Sequence, residues 1–146
     1  MPGSAEVQAE TLQKFIAGWS GWTPEGFLAS WHDQCTTKTL PFSLGVPIRT
    51  RAQTENVFPI MMSFVTNFQL TIHNVVHDIA NAKAAIYAIA KADTPFGPYT
   101  NEHALFLWFD ETGRKVSKIE EMFDDAAMKD FLPKFEKYAA QVKGGS

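Results

Sequence analysis

One cysteine, Cys35, stands among the 146 residues, so no internal disulfide forms and no multi-thiolate zinc or iron–sulfur centre is available. Nor is there an excess of basic charge. Thirteen Lys and Arg face sixteen Asp and Glu, a net charge of −3, without the basic surface that phosphate-backbone binding requires. Nucleic acid is therefore not an expected partner. No stretch approaches the roughly 18 consecutive apolar residues of a membrane span, and the first thirty residues lack the apolar run of a secretory signal. A soluble, cytoplasmic protein without membrane association is the expectation. The Gly-rich dinucleotide fingerprint, the phosphate-binding P-loop and the GxSxG nucleophile elbow are all missing, which leaves cofactor-bound redox, nucleotide and serine-nucleophile chemistry without support. What the chain has in surplus is aromatic side chains. Twelve Phe, four Trp and three Tyr exceed what a core of this size needs, so some are expected to line a pocket. The length fits one domain over residues 1–143, with a flexible tail at 144–146.

Leu12, Phe15, Ile16 and Trp19 recur at helical spacing and predict an amphipathic helix over 5–19, ended with the help of Gly18 and Gly21. Thr23, Pro24 and Glu25 read as N-cap, first position and first-turn acid of a short helix with Phe27, Leu28 and Trp31 on its apolar face. That reading delivers His32 and Asp33 to the helix end. Residues 35–48 are Thr-rich and broken by Pro41, Gly45 and Pro47, as in an irregular strand and loop at a cleft rim. Thr50 with Gln53 forms a possible capping box before a helical stripe through Val57, Phe58, Met61, Phe64, Val65 and Phe68, kinked at Pro59. Residues 69–77 alternate as a strand, with Leu70, Ile72, Asn74 and Val76 on one face and Thr71, His73, Val75 and His77 on the other. At a strand's rise His73 and His77 lie about 13 Å apart, which implies no metal site. Residues 82–92 stay open: alanine favours helix, while the phase of Ile86, Ala88 and Ala90 fits a strand. The turn at 94–99 leads into two extended runs joined by Asp110 to Gly113, a hairpin signal with Gly113 suited to the left-handed position. Asp124 or Asp125 then caps a last helix bearing Met128, Phe131, Leu132 and Phe135.

Alternation on the hairpin collects Tyr99, Asn101, His103, Leu105, Leu107 and Phe109 on one face of its first strand, and Ile119, Glu121 and Phe123 on one face of its second. Glu121 between two apolar neighbours is a candidate desolvated carboxyl, and the adjacent Glu120 is the solvated one. Counting outward from Thr112 makes His103 and Glu121 near cross-strand partners. His103 suits proton exchange near neutral pH, and Tyr99 suits hydrogen-bond donation to a developing oxyanion. Trp31, His32, Asp33, Asn101, Arg49 and Arg51 are the second-tier, substrate-binding candidates, although Arg51 and Glu55 at i, i+4 also make an ordinary surface ion pair. Cys35, in a Thr-rich strand without an activating partner, reads as a buried structural thiol.

Three stretches, SLGVPIRTRAQTE at 43–55, ADTPFGPYTNEHALFLWFDETGRKVSKIEEMFD at 92–124 and MKDFLPKFEKY at 128–138, resemble the SnoaL-like polyketide cyclase family of the nuclear-transport-factor-2-like superfamily and its fungal isomerase relatives. The resemblance implies an α+β fold, a cone-shaped barrel with a strongly curved antiparallel sheet packed against about four helices, and it makes 82–92 a strand. It also implies a deep pocket, frequent dimerisation through the outer sheet face, and pocket positions matching Tyr99, His103 and Glu121, with His103 where a relative carries a second Tyr. The expected function is a cofactor-free, metal-free isomerase or cyclase acting by proton transfer on a bulky apolar polyketide, terpenoid or alkaloid intermediate. A dehydratase or hydrolase of the same fold, or a small-molecule carrier, is the alternative. A homodimer is expected because Phe106, Trp108 and Met122 form a second apolar set that one cone cannot bury inside.

Overall fold

Thr and β-branched residues build the strands and capped amphipathic segments the helices, in the order helix, helix, strand, helix, hairpins, helix. The computed structural model describes residues 3–144. Helix α1 spans Ala5–Gly21 and α2 Pro24–Leu28; strand β1 runs Trp31–Leu40, a 3-10 turn covers Phe42–Leu44, and β2 is Arg49–Thr50. Helix α3 is Arg51–Phe64, followed by β3 Thr66–Asp78, β4 Lys83–Thr94, β5 Gly97–Phe109, β6 Val116–Phe123 and α4 Asp125–Gly144. The six strands form one curved sheet in the order β2-β1-β6-β5-β4-β3, the expected α+β cone. All pairings are antiparallel except β1 with β6, which is parallel. Of the expected tail at 144–146, Gly144 is the last residue of α4, and residues 145–146 lie outside the described ones. Among the described residues no helix is long and apolar enough to cross a membrane.

The caps behave as their chemistry requires. Thr23 Oγ1 accepts from the Gly26 amide, Thr50 and Gln53 close a reciprocal capping box, and the Asp124 carboxylate accepts from the Ala126 and Ala127 amides. Helix α1 ends differently from the expectation. Trp22, not a glycine, adopts the left-handed conformation (φ 54°), and its indole Nε1 donates to the Val65 carbonyl at 2.8 Å. Gly18 serves close approach instead, since a Cβ there would sit 2.1 Å from the Gly26 carbonyl oxygen of α2.

The segment 82–92 is strand from Lys83 onward, with Ala84, Ile86, Ala88, Ala90 and Ala92 buried. Small side chains let α1 and its aromatics sit close to the sheet, and cross-strand pairing overrides alanine's helical preference. The core is led by Phe15, Ile86, Leu107 and Val116, each under 2% exposed, and burying such a side chain stabilises by roughly 1.5–3 kcal/mol. A second apolar cluster joins Phe64 and Val65 to Phe131 of α4, with Phe96, Tyr99, Phe135 and Tyr138 packed on it. The side chain of Met128, expected on the same face, is outside the described ones. On β3 the alternation breaks. Ile72 pairs with Ala88 and Asn74 with Tyr87, so one residue bulges and the phase reverses beyond it. Val76 therefore faces out, and His77 turns toward α1, where its Nε2 lies 2.9 Å from Gln8 Oε1.

Candidate active site

Between α1, α3, α4 and the concave side of the sheet lies a cavity of about 280 Å³ with a mainly aromatic wall that includes Trp19, Trp22, Phe27, Phe58, Phe68 and Phe131. The rings hold one another edge to face, Phe15 on Phe27 at 5.8 Å and Phe27 on Phe58 at 5.0 Å, while Trp22 stacks on Phe68 at 3.8 Å. A wall fixed by ring packing keeps its shape without a bound molecule. The surplus of aromatics noted in the sequence is thus divided between core and lining.

Into this apolar space the β5–β6 hairpin places one acid–base pair. His103 Nδ1 lies 2.9 Å from Glu121 Oε2, with the two side chains 13% and 24% exposed. The contact is diagonal across the strands: Glu121 stands opposite Leu105, and His103 opposite Phe123. The near cross-strand pairing expected is offset by two residues, because the connection runs from Asp110 to Lys115, closed by the Asp110 amide on the Lys115 carbonyl, and a bulge sits at Trp108/Phe109. An even shift preserves the face, so both side chains still point inward. Gly113 takes φ 73° as anticipated. Glu120 turns to the outer face and pairs with Lys118 at 3.7 Å.

The Trp19 indole stands edge-on to the His103 ring, with centroids 5.4 Å apart and planes at 89°, which fixes the imidazole's orientation. A carboxylate at Nδ1 accepts that N–H, which leaves Nε2 as the lone-pair nitrogen and steadies the imidazolium once Nε2 takes a proton. Tyr99 begins the same face four residues earlier, about 13 Å along the strand, packed on Phe131. Burial pushes its phenol up to about 12; the Asn101 carboxamide offsets part of this and the negative charge of Glu121 adds to it. Tyr99 is therefore a neutral hydroxyl at physiological pH.

The remaining candidates separate. Trp31 and Arg49 line the cavity. Trp31 opens β1 rather than closing α2, because the β-branched run that follows takes up pairing with β6 directly after Ala29 and Ser30. His32 and Asp33 are not part of the lining. Between Trp31, paired with Val116, and Thr36, paired with Lys118, β1 bulges outward. Asp33 is 93% exposed on that bulge, and His32 Nδ1 accepts from the Gln34 amide at 3.0 Å. Arg51 also stays outside the cavity: its guanidinium holds Glu55 at 2.9 Å and donates to the Trp31 carbonyl, which ties α3 to β1. Asn101 is buried behind the lining, where Oδ1 accepts from the amides of Glu102 and Asp124 and so anchors the entry to α4. Cys35 is buried and free, and burial pushes its thiol up to about 12. Among the described residues, no group of three or more His, Cys, Asp or Glu side chains is placed to hold a metal ion.

Sequence reasoning missed Trp19, Thr37, Thr39 and Thr54 as lining residues. The signal for the first pair of threonines was present: Cys35, Thr37 and Thr39 alternate, and Thr39 pairs with Glu121. A shallower concavity on the outer sheet face is bordered by Val76, Asp78, Lys83, Phe106, Trp108 and Glu120.

No family model matches the chain. It is 66% identical to the protein named monooxygenase nsrQ of Aspergillus novofumigatus over 143 residues, 98% of this chain and 95% of that one. To the protein named monooxygenase AacuP of Aspergillus aculeatus it is 65% identical over 144 residues, 99% of this chain and 97% of that one. Among solved structures, the BvnE pinacolase from Penicillium brevicompactum matches with a TM-score of 0.82 over 93% of each chain at 22% identity, a likeness of fold.

Proposed function

The chain belongs to the fungal protein family of nsrQ and AacuP, and from that footing we propose that it is a general acid–base enzyme that isomerises or cyclises a bulky, ring-containing secondary metabolite. The observation that carries this is the His103–Glu121 pair, 2.9 Å apart in an aromatic cavity. His103 Nε2 takes a proton from a carbon activated by a neighbouring carbonyl, and Glu121 stabilises the resulting imidazolium through Nδ1. The carbonyl oxygen gains negative charge. The Tyr99 hydroxyl, kept neutral by burial, donates toward such an oxygen, and the imidazolium returns the proton at a second carbon. The aromatic wall holds the rings so that both transfers occur within one bound geometry.

The name monooxygenase, carried by both relatives, favours a second reading with the same base. Deprotonation at His103 would then give a carbanion that reduces molecular oxygen; one oxygen atom enters the molecule, the other leaves as water, and the substrate supplies the electrons. Incubating the protein with the compound that accumulates when its gene is deleted, in D2O and under 18O-labelled oxygen, separates the two. Isomerisation gives a product of unchanged formula that carries solvent deuterium, whereas oxygenation gives a product that has gained one 18O atom and lost two hydrogens. No conversion at all overturns both.

The proposed assembly is a homodimer through the outer sheet face, where Phe106 and Met122 are 45% and 42% exposed. Sedimentation at micromolar concentration is expected to give twice the mass of the 16.3 kDa chain, and a monomer there contradicts it.

A further inference from the structure

Five buried side-chain polar atoms among the described residues have no hydrogen-bond partner in the protein, and three of them, Trp31 Nε1, Thr37 Oγ1 and Thr54 Oγ1, belong to residues that line the cavity. Buried donors left unmade cost roughly 1–3 kcal/mol each, so a group of them on one cavity wall calls for a reason. Thr54 is informative because helical threonines usually return their hydroxyl to the carbonyl four residues back. Thr54, 1% exposed, makes no such bond. Sheet register places this wall relative to the acid–base pair. Thr37 pairs with Arg49 on one side and Ile119 on the other, and the next inward residues along, Thr39 and Glu121, pair with each other. The orphaned hydroxyl of Thr37 thus belongs to the row beside Glu121, with a cation at the end of the row.

From this we infer that Trp31, Thr37 and Thr54 form a subsite for an oxygen acceptor on the substrate, a carbonyl or an ionised phenol or carboxyl carried by an otherwise apolar ring system. The indole N–H only donates, both hydroxyls can donate, and Arg49 adds positive charge. This deepens the proposed function and rests on the reading of the cavity as a substrate site. The subsite holds one oxygen of the ring system in place and leaves another part of it facing His103, which makes Thr37 and Thr54 positioning residues.

Binding of 9-fluorenone and of fluorene, which differ in one carbonyl, followed by quenching of the cavity's indole emission, tests the subsite without turnover. The intact protein is expected to prefer fluorenone by about ten- to hundredfold, the factor that one or two satisfied buried donors supply. Thr37→Val with Thr54→Val is expected to bring the two affinities within about twofold by weakening fluorenone alone. Thr54→Val by itself is expected to leave the melting temperature unchanged or raised, since it removes an unpaired buried hydroxyl. Equal affinities in the intact protein, a preference that survives in the double variant, or a marked loss of stability in Thr54→Val overturns the subsite. Glu121→Gln keeps the preference in this account. A preference that persists while no conversion is ever found defeats the acid–base reading and leaves the subsite standing. Conversion lost in Glu121→Gln without any fluorenone preference defeats the subsite alone.

Discussion

The two faces of the β5–β6 hairpin are built from the same strands, with consecutive residues assigned to opposite faces, yet they hold different chemistry. Inward lie His103, Leu105, Leu107, Ile119 and Glu121; outward lie Glu102, Phe106, Trp108, Glu120 and Met122. On the inner face a carboxylate and an imidazole meet beneath aromatic rings. On the outer face the polar contacts differ: Tyr87 donates to Glu102 at 2.6 Å, Lys83 and Lys118 lie over the Trp108 ring, and Glu120 pairs with Lys118, its side chain 18% exposed and so not the solvated carboxylate expected from the sequence. Glu120 and Glu121 are neighbours in sequence and lie on opposite faces of the sheet, one against Lys118 and the other against His103. The lesson is that parity, more than composition, assigns a role to each residue here.

Substitutions that treat the faces alike would erase this contrast, so the turnover and stability predictions each pair an inner with an outer position. The largest expected effect is on turnover. His103→Gln is expected to lower the rate by about 10²–10⁴-fold, the usual loss of an acid–base group, while Trp108→Phe on the outer face leaves it within about twofold. Steady-state kinetics on both variants reads the difference. Stability follows. Leu107→Ala, at a fully buried site, is expected to cost about 2–5 kcal/mol in denaturant unfolding, against about 0.5 kcal/mol or less for Phe106→Ala measured on the monomer.

A smaller effect distinguishes the interior by pH. Cys35 and Tyr99 are both raised by burial, from ordinary values of 9.0 and 10.0 to about 12. Groups whose pKa is raised on folding stabilise fully below their unfolded values, and the contribution is lost as pH climbs through the folded ones. The melting temperature is therefore expected to hold up to about pH 9 and to fall progressively toward pH 12, with a shallower fall in Tyr99→Phe. An unchanged slope in that variant would place the alkaline loss elsewhere.

How far the sequence spoke depends on which force fixed each element. The hairpin faces were legible because alternation is uninterrupted from His103 to Trp108 and from Lys118 to Phe123, and an offset of two residues in register did not disturb them. Where a bulge intervenes, alternation misleads. On β3 the extra residue between Ile72 and Asn74 turns His77 inward, and on β1 the bulge after Trp31 carries His32 and Asp33 out of the site. Trp31 itself satisfied helical spacing with Phe27 and Leu28, and only pairing with β6, a contact distant in sequence, makes it a strand residue. Likewise the orphaned hydroxyl of Thr54 has no sequence signature, since a capped helix offers it an ordinary partner that it does not use.

The central claim is that the inner of two adjacent glutamates does the chemistry, and one assay tests it directly: conversion of the accumulating metabolite by Glu121→Gln and Glu120→Gln, each checked for native unfolding behaviour. The account predicts a loss of about 10²–10⁴-fold for Glu121→Gln and an unchanged rate for Glu120→Gln. Equal rates in the two folded variants would contradict it.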